Sequence, residues 1–194
     1  MAESDSVPYY DQHADRFLAD TSAVDMSALY DRLLAVLPVG GRILDAGCGG
    51  GRDTAAFLSR GYSVVAFDAS VEMVRRATKM CGPAADVRHM RFRDARWNAE
   101  FDGIWACASL LHVSRSELPG VVRRLAAGLR SGGAFYMSFK YGTSERVVGD
   151  RTFTDCDERL MQRLLGESDL EPLDVWSSPD LRPGRASERW LNAL

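Results

Sequence analysis

The feature that most constrains this chain is a pair of apolar runs, each ending in an acid, with glycines after the first. The runs are Ile43-Leu44-Asp45-Ala46-Gly47-Cys48-Gly49-Gly50-Gly51-Arg52 and Val64-Val65-Ala66-Phe67-Asp68. Such spacing describes a strand, a tight loop, a helix and a second strand holding a nucleoside. Glycine lets backbone approach the ligand, and an acid at the tip of the second strand can take two ribose hydroxyls. Phosphate-binding variants of the unit fit less well. A G-x-G-x-x-G beginning at Gly47 needs its third glycine where Arg52 stands, and Gly51-Arg52-Asp53-Thr54 lacks the Gly-Lys-Ser/Thr of a P-loop. Asp45, just ahead of the loop, would oppose a pyrophosphate and attract an ammonium or sulfonium.

The rest of the chain extends this unit. Met26, Leu29, Leu33 and Leu37 predict a helix over 25–37, with Asp25 as cap and Pro38 beyond its end. A helix over 52–60, a strand over 63–68 and a helix capped by Ser70 follow, the last ended by Gly82-Pro83. A third strand over 86–92 carries Arg88, His89, Arg91 and Arg93, which reads as an edge strand guarded by charge rather than a nucleic-acid patch. A fourth strand over 101–108, a helix bearing Leu118, Val122, Leu125 and Leu129, and a fifth strand over 133–139 complete an alternation that demands a parallel sheet. Beyond 140, Thr154 or Asp155 would cap a helix stopped by Gly166. Residues 172–176 and 188–192 would be the last strands, with Trp190, Leu191 and Ala193 on the core or sheet face.

At 194 residues the chain has the length of one domain able to bury a core. It shows no apolar stretch of membrane-spanning length, and its Met1-Ala2-Glu3-Ser4-Asp5 start is acidic where a secretory signal would be basic, so a cytoplasmic location is expected. Cys48, Cys81, Cys107 and Cys156 lack metal-ligand spacing, so neither a metal site nor a disulfide framework is expected. A net charge of −3 argues against nucleic acid as a partner.

Leu44-Asp45-Ala46-Gly47-Cys48-Gly49-Gly50-Gly51 with Asp68 resembles the class I S-adenosylmethionine-dependent methyltransferases, whose first motif is a hydrophobic-Asp-x-Gly-x-Gly-x-Gly loop. Phe101 to His112 resembles that family's fourth strand and the segment after it. Leu129-Arg130-Ser131-Gly132-Gly133-Ala134-Phe135-Tyr136 resembles the turn into the fifth, with Ser131 where many members have proline. The motifs cover residues 40 to 140. The resemblance implies an α/β fold: a doubly wound, mostly parallel, seven-stranded Rossmann-like sheet with an antiparallel last strand, helices on both faces, and an N-terminal helical lid. One domain would span 1–194, with lid and helix in 1–38, the cofactor core in 40–140 and the substrate side in 141–194.

The resemblance also implies S-adenosylmethionine as cofactor, leaving as S-adenosylhomocysteine. Asp45, with Ala46, Gly47, Gly49 and Arg52, would surround its methionine end. Asp68 would take the ribose, although a strand-end acid capping the Ser70 helix has the same sequence. Ala69, Met73 and Asp94 would flank the adenine, and Ala106 and Cys107 would pass beside the sulfonium. His112 is a candidate general base, being near neutrality when unperturbed, and Tyr10 a candidate catalytic partner. Tyr9, Lys140, Tyr141, Arg182 and Arg185 are candidates for the acceptor, the cations suiting an acidic one. The leading expectation is methyl transfer to a small molecule by a monomer or homodimer. An RNA or protein methyltransferase and a non-catalytic S-adenosylmethionine-binding protein are the alternatives.

Overall fold

The computed structural model describes residues 6–194, so the acidic stretch at 1–5 lies outside the described residues. Helix α1 (Val7–Thr21) is interrupted at His13, whose backbone leaves helical values (φ −120°, ψ 22°). Helix α2 (Ser27–Leu34) leads to strand β1 (Arg42–Ala46), and the glycine loop leads to α3 (Arg52–Ser59). Then come β2 (Ser63–Asp68), α4 (Val71–Cys81), β3 (Ala85–His89), β4 (Phe101–Ala106), α5 (Leu118–Ala126) and β5 (Leu129–Lys140). A hairpin of β6 (Glu145–Val148) and β7 (Arg151–Thr154) precedes α6 (Glu158–Gly166), β8 (Val175–Pro179) and β9 (Arg189–Ala193).

Seven strands form one sheet in the order β3-β2-β1-β4-β5-β9-β8. The first five are parallel, and β9 runs antiparallel to both β5 and β8. The central strands are nearly continuous apolar runs because helices cover both faces. On one face Leu44, Val65, Ile104 and Phe135 pack under Val122 and Leu125 of α5 and Leu160 and Leu164 of α6. On the other, Ile43, Val64 and Trp105 pack under Tyr30 and Leu33 of α2 and Phe57 of α3, with Trp105 stacked on Tyr136 at 4.1 Å between centroids. Burying each such side chain contributes roughly 1.5–3 kcal/mol.

Several boundaries differ from expectation. Asp157, not Thr154 or Asp155, caps α6 by accepting the Leu160 N–H (2.8 Å), because Thr154 ends β7 and the Asp155 carboxylate is taken by Arg146. Met26 rather than Asp25 occupies the cap of α2; Asp25 accepts the Ser27 N–H (2.9 Å) one position earlier. The fourth strand ends at Ala106, and Ala108 takes a left-handed φ of 53° that turns the chain out of the sheet. The β6–β7 hairpin was not expected, and it forms its own two-stranded sheet. No helix among the described residues is long and apolar enough to cross a membrane.

Candidate active site

Strand order reverses between β1 and β4, and the chain leaving both strands borders a cleft at their C-terminal ends. The loop from β1 to α3 is enclosed on three sides. A Cβ on Gly47 would stand 2.5 Å from the Ser109 Cβ, on Gly50 2.5 Å from Leu18, and on Gly51 2.9 Å from the Ala77 Cα. At Gly49 (φ +54°) it would meet nothing within 4 Å, so this is the loop's open side. The Gly47 and Cys48 N–H groups both donate to the Phe67 carbonyl (2.9 Å), that of Gly49 to Asp68 Oδ2 (2.9 Å) and that of Gly51 to the Cys48 carbonyl (3.1 Å). A phosphate cradle needs such amides free; four here are engaged internally.

Three acids surround the loop. Asp68 lines the cleft at the tip of β2, where its Oδ1 also accepts the Ser70 N–H (2.9 Å). Burial raises its pKa against the pull of these N–H bonds. A carboxylate has about four lone-pair sites, so it can accept from a ligand hydroxyl beyond these N–H groups. Asp45 is 2% exposed, accepts the Thr54 hydroxyl (2.6 Å) and does not line the cleft. It lies behind the loop, a correction to its expected contact with the ligand. Burial, then the charge of Asp53, raises its pKa. Asp53 does line the cleft, and accepts from Tyr30 Oη (2.6 Å), Arg52 Nε (2.6 Å) and Trp105 Nε1 (2.8 Å). Arg52 also donates to the Thr21 carbonyl (3.0 Å), joining the end of α1 to the loop.

Ala69, Met73 and Cys107 line the cleft, and burial pushes the Cys107 thiol up to about 12, keeping it neutral. Three further expectations need correction. Asp94 is exposed and off the cleft, which is bordered there by Arg91, Phe92 and Arg93. Ala46 and Ala106 are buried within their strands, and the Ala46 carbonyl is taken by the Ser109 hydroxyl (2.6 Å).

Helix α1 crosses the cleft. Ser70 Oγ donates to Asp11 (2.5 Å), Arg76 pairs with Asp15 (2.6 Å), and Leu18 covers Gly50. At its other end the Thr152 N–H donates to Ser6 Oγ (3.1 Å), fastening α1 to β7. Between these anchors Tyr10 Oη lies 2.7 Å from His112 Nε2, and His112 Nδ1 lies 2.8 Å from the Thr152 carbonyl. A carbonyl can only accept, so Nδ1 carries the proton and Nε2 accepts from Tyr10. Burial pulls the His112 pKa down to about 4 and pushes Tyr10 up to about 12, leaving both neutral. Tyr9 also lines the cleft, its ring 4.3 Å from the Arg151 guanidinium.

The expected acceptor cations are not free. Lys140 binds Asp180 (2.9 Å) and Glu188, Arg182 binds Asp180 (2.5 Å), and Arg185 approaches Glu188 (3.4 Å). Trp190 Nε1 completes the cluster on Asp180 (3.0 Å). Burial raises the Asp180 pKa, but Arg182, Lys140 and Trp190 overcome it and hold the carboxyl well below its usual range. Tyr141 is exposed, bonds Glu158 (3.0 Å) and is off the cleft, a correction to its expected substrate role.

Comparison with known proteins agrees with this geometry. The family profile described as "Methyltransferase domain" matches residues 43–133, from β1 into β5. Over that stretch the chain is similar to methyltransferase domains. The ubiquinone biosynthesis O-methyltransferase of Xanthomonas axonopodis pv. citri is 31% identical over 106 residues, 52% of this chain and 44% of that protein. The chain therefore spans less than half the length of that curated relative. Among solved structures, the 1,6-didemethyltoxoflavin-N1-methyltransferase of Burkholderia thailandensis, with bound 1,6-didemethyltoxoflavin and S-adenosylhomocysteine, superposes with a TM-score of 0.76. It is 26% identical over 98% of this chain and 85% of its own. An S-adenosylmethionine-dependent methyltransferase from Mesorhizobium loti shares the fold at a TM-score of 0.69 and 18% identity, covering 88% of this chain and 99% of its own.

Two residues that line the cleft carry no expectation from the sequence. Asp53, in the first turn of α3, has its partners at Tyr30 and Trp105, and no local pattern reveals them. Arg151 sits on the β6–β7 hairpin, which did have a signal: Val148-Gly149-Asp150-Arg151 is a two-residue Gly-Asp turn between short runs, with Gly149 at φ +59°.

Proposed function

We propose that the protein is an S-adenosylmethionine-dependent methyltransferase acting on a small-molecule acceptor. The observation that carries the donor assignment is the loop's chemistry. Four of its amides are engaged internally, its open side is at Gly49, and Asp68 and Asp53 line the cleft beside it. That set disfavours a polyphosphate and fits a cation carrying a vicinal diol. When bound, S-adenosylmethionine supplies an electrophilic methyl group and becomes neutral S-adenosylhomocysteine as the C–S electron pair returns to sulfur.

The chain's own part is to hold and to exclude. Asp68 takes the ribose hydroxyls, Ala69 and Met73 border the adenine, and Asp53 sets its charge towards the sulfonium end. Leu18 and Tyr10 of α1 shut the cleft from above, keeping donor and acceptor in line, where orientation supplies most of the rate. Neutral His112 and Tyr10 form a path for the proton that an O–H or N–H acceptor releases: Tyr10 passes its proton to Nε2 and takes the acceptor's. The cleft has a volume of about 1820 Å³, more than the roughly 300–1,000 Å³ of a site for one drug-sized ligand, so it has room for a donor and a small acceptor. Its closure by α1 favours a small acceptor over a macromolecule. A screen with methyl-labelled donor over thiols, phenols, amines, small acids and total tRNA tests this. Label in a small molecule is expected; label in tRNA alone, or in nothing, would contradict it.

A further inference from the structure

The acceptor end contains a cation that the reaction outlined above does not use. Lys140, Arg146, Arg182 and Arg185 border the cleft, and each faces Asp155, Asp180 or Glu188. Arg151 also borders it and, among the described residues, has no carboxylate within ion-pair distance. Its guanidinium lies 4.3 Å from the centroid of Tyr9 and 5.1 Å from that of Phe153. Its Nε is buried without a hydrogen-bond partner.

The surroundings narrow the ligand. Tyr10 packs edge-on against Tyr9 (5.4 Å) and Phe17 (5.1 Å), and His112 lies 5.1 Å from Phe153. Rings from α1 and from the hairpin thus wall the acceptor end, a surface suited to a flat conjugated molecule. Arg151 directly precedes Thr152, whose carbonyl orients His112, so the cation and the Tyr10–His112 pair belong to one fixed assembly. The guanidinium is braced by aromatic faces and acts on the Tyr10 hydroxyl, and its remaining N–H groups can meet an oxyanion in the plane.

We propose that Arg151 binds the acceptor, and that the acceptor is a small planar conjugated molecule bearing an anionic oxygen, a carboxylate above all. The inference rests on the methyl-transfer reading, and its test separates the two. The protein is first titrated calorimetrically with S-adenosylhomocysteine; no binding there would count against methyl transfer itself. The saturated complex is then titrated with matched pairs: salicylate and salicylamide, naphthoate and naphthamide, indole carboxylate and its carboxamide. At least one carboxylate should bind tenfold or more tightly than its amide. Arg151→Gln should abolish that preference while leaving S-adenosylhomocysteine affinity and the melting temperature near wild type. Arg151→Lys, with charge but no fork, should keep part of it. Equal binding of every pair, a preference that survives Arg151→Gln, or binding of none of the pairs by the saturated complex would overturn the proposal.

Discussion

The two ends of the cleft are built from different materials. Around the glycine loop, residues 45–69 supply most of the site, largely through backbone: amides turned inward, an open side at Gly49, and Asp68 fixed by two N–H groups. At the other end side chains from distant segments meet. Tyr10 and His112 are 102 positions apart, and Ser6 and Thr152 are 146 apart. Backbone geometry tolerates little change and suits a ligand that stays the same. Side chains on a helix and a hairpin can be exchanged singly, which suits a ligand that differs between relatives.

That contrast breaks most sharply if each end can be damaged alone. His112→Ala, which removes the proton path but no donor contact, should lower methyl transfer by about 10²–10⁴-fold for an O–H or N–H acceptor. Its S-adenosylhomocysteine affinity should stay within a few-fold. Full activity in steady-state kinetics would remove the proton path from the account. Gly47→Ala places a Cβ 2.5 Å from Ser109 at a φ of +81° and should cost about 3 kcal/mol, a fall of roughly 10 °C in thermal unfolding. An unchanged melting temperature would mean that the loop is less fixed than described.

The depressed pKa of His112 also has a signed consequence. It is about 4 folded against 6.5 unfolded, so below pH 6.5 the unfolded chain takes the proton first. This contribution to stability is intact above 6.5 and is lost as pH falls towards 4, by on the order of 3 kcal/mol. Asp45 and Asp68, whose pKa values are raised, act in the opposite sense, so the test is a difference. In urea unfolding at pH 7.5 and 4.5, His112→Gln should lose less stability on acidification than wild type does; equal losses would contradict the burial of a neutral imidazole. The smallest effect belongs to the far end of the lid. Asp15 is 88% exposed in its pair with Arg76, so Asp15→Ala should shift stability by less than about 1 kcal/mol. A larger shift in the same unfolding assay would show that this pair, and not Leu18 and Tyr10, holds α1 down.

The same difference in materials explains what could be read from the sequence. The loop, β2 at 63–68 and the Ser70 cap follow from local backbone chemistry, and they stand where the spacing places them. Asp45 was read as facing the ligand because it precedes the loop, but the alternation of β1 turns it towards Thr54 of α3. Lys140 meets Asp180 and Glu188 only once β9 pairs with β5, whereas Arg182 and Arg185 pair with Asp180 and Glu188 two and three positions away, within the segment that joins β8 to β9. The setting of Arg151 depends on Tyr9 of α1 reaching the β7 strand, a contact between segments more than 140 positions apart that no stretch of sequence encodes.

Calorimetric titration with S-adenosylhomocysteine, on wild type and Asp68→Ala, tests the central assignment most directly. The account predicts one site of micromolar affinity, about 8 kcal/mol, weakened about 100-fold or more when the Asp68 carboxylate is removed. No heat with S-adenosylhomocysteine, with saturation by NADH instead, would contradict it.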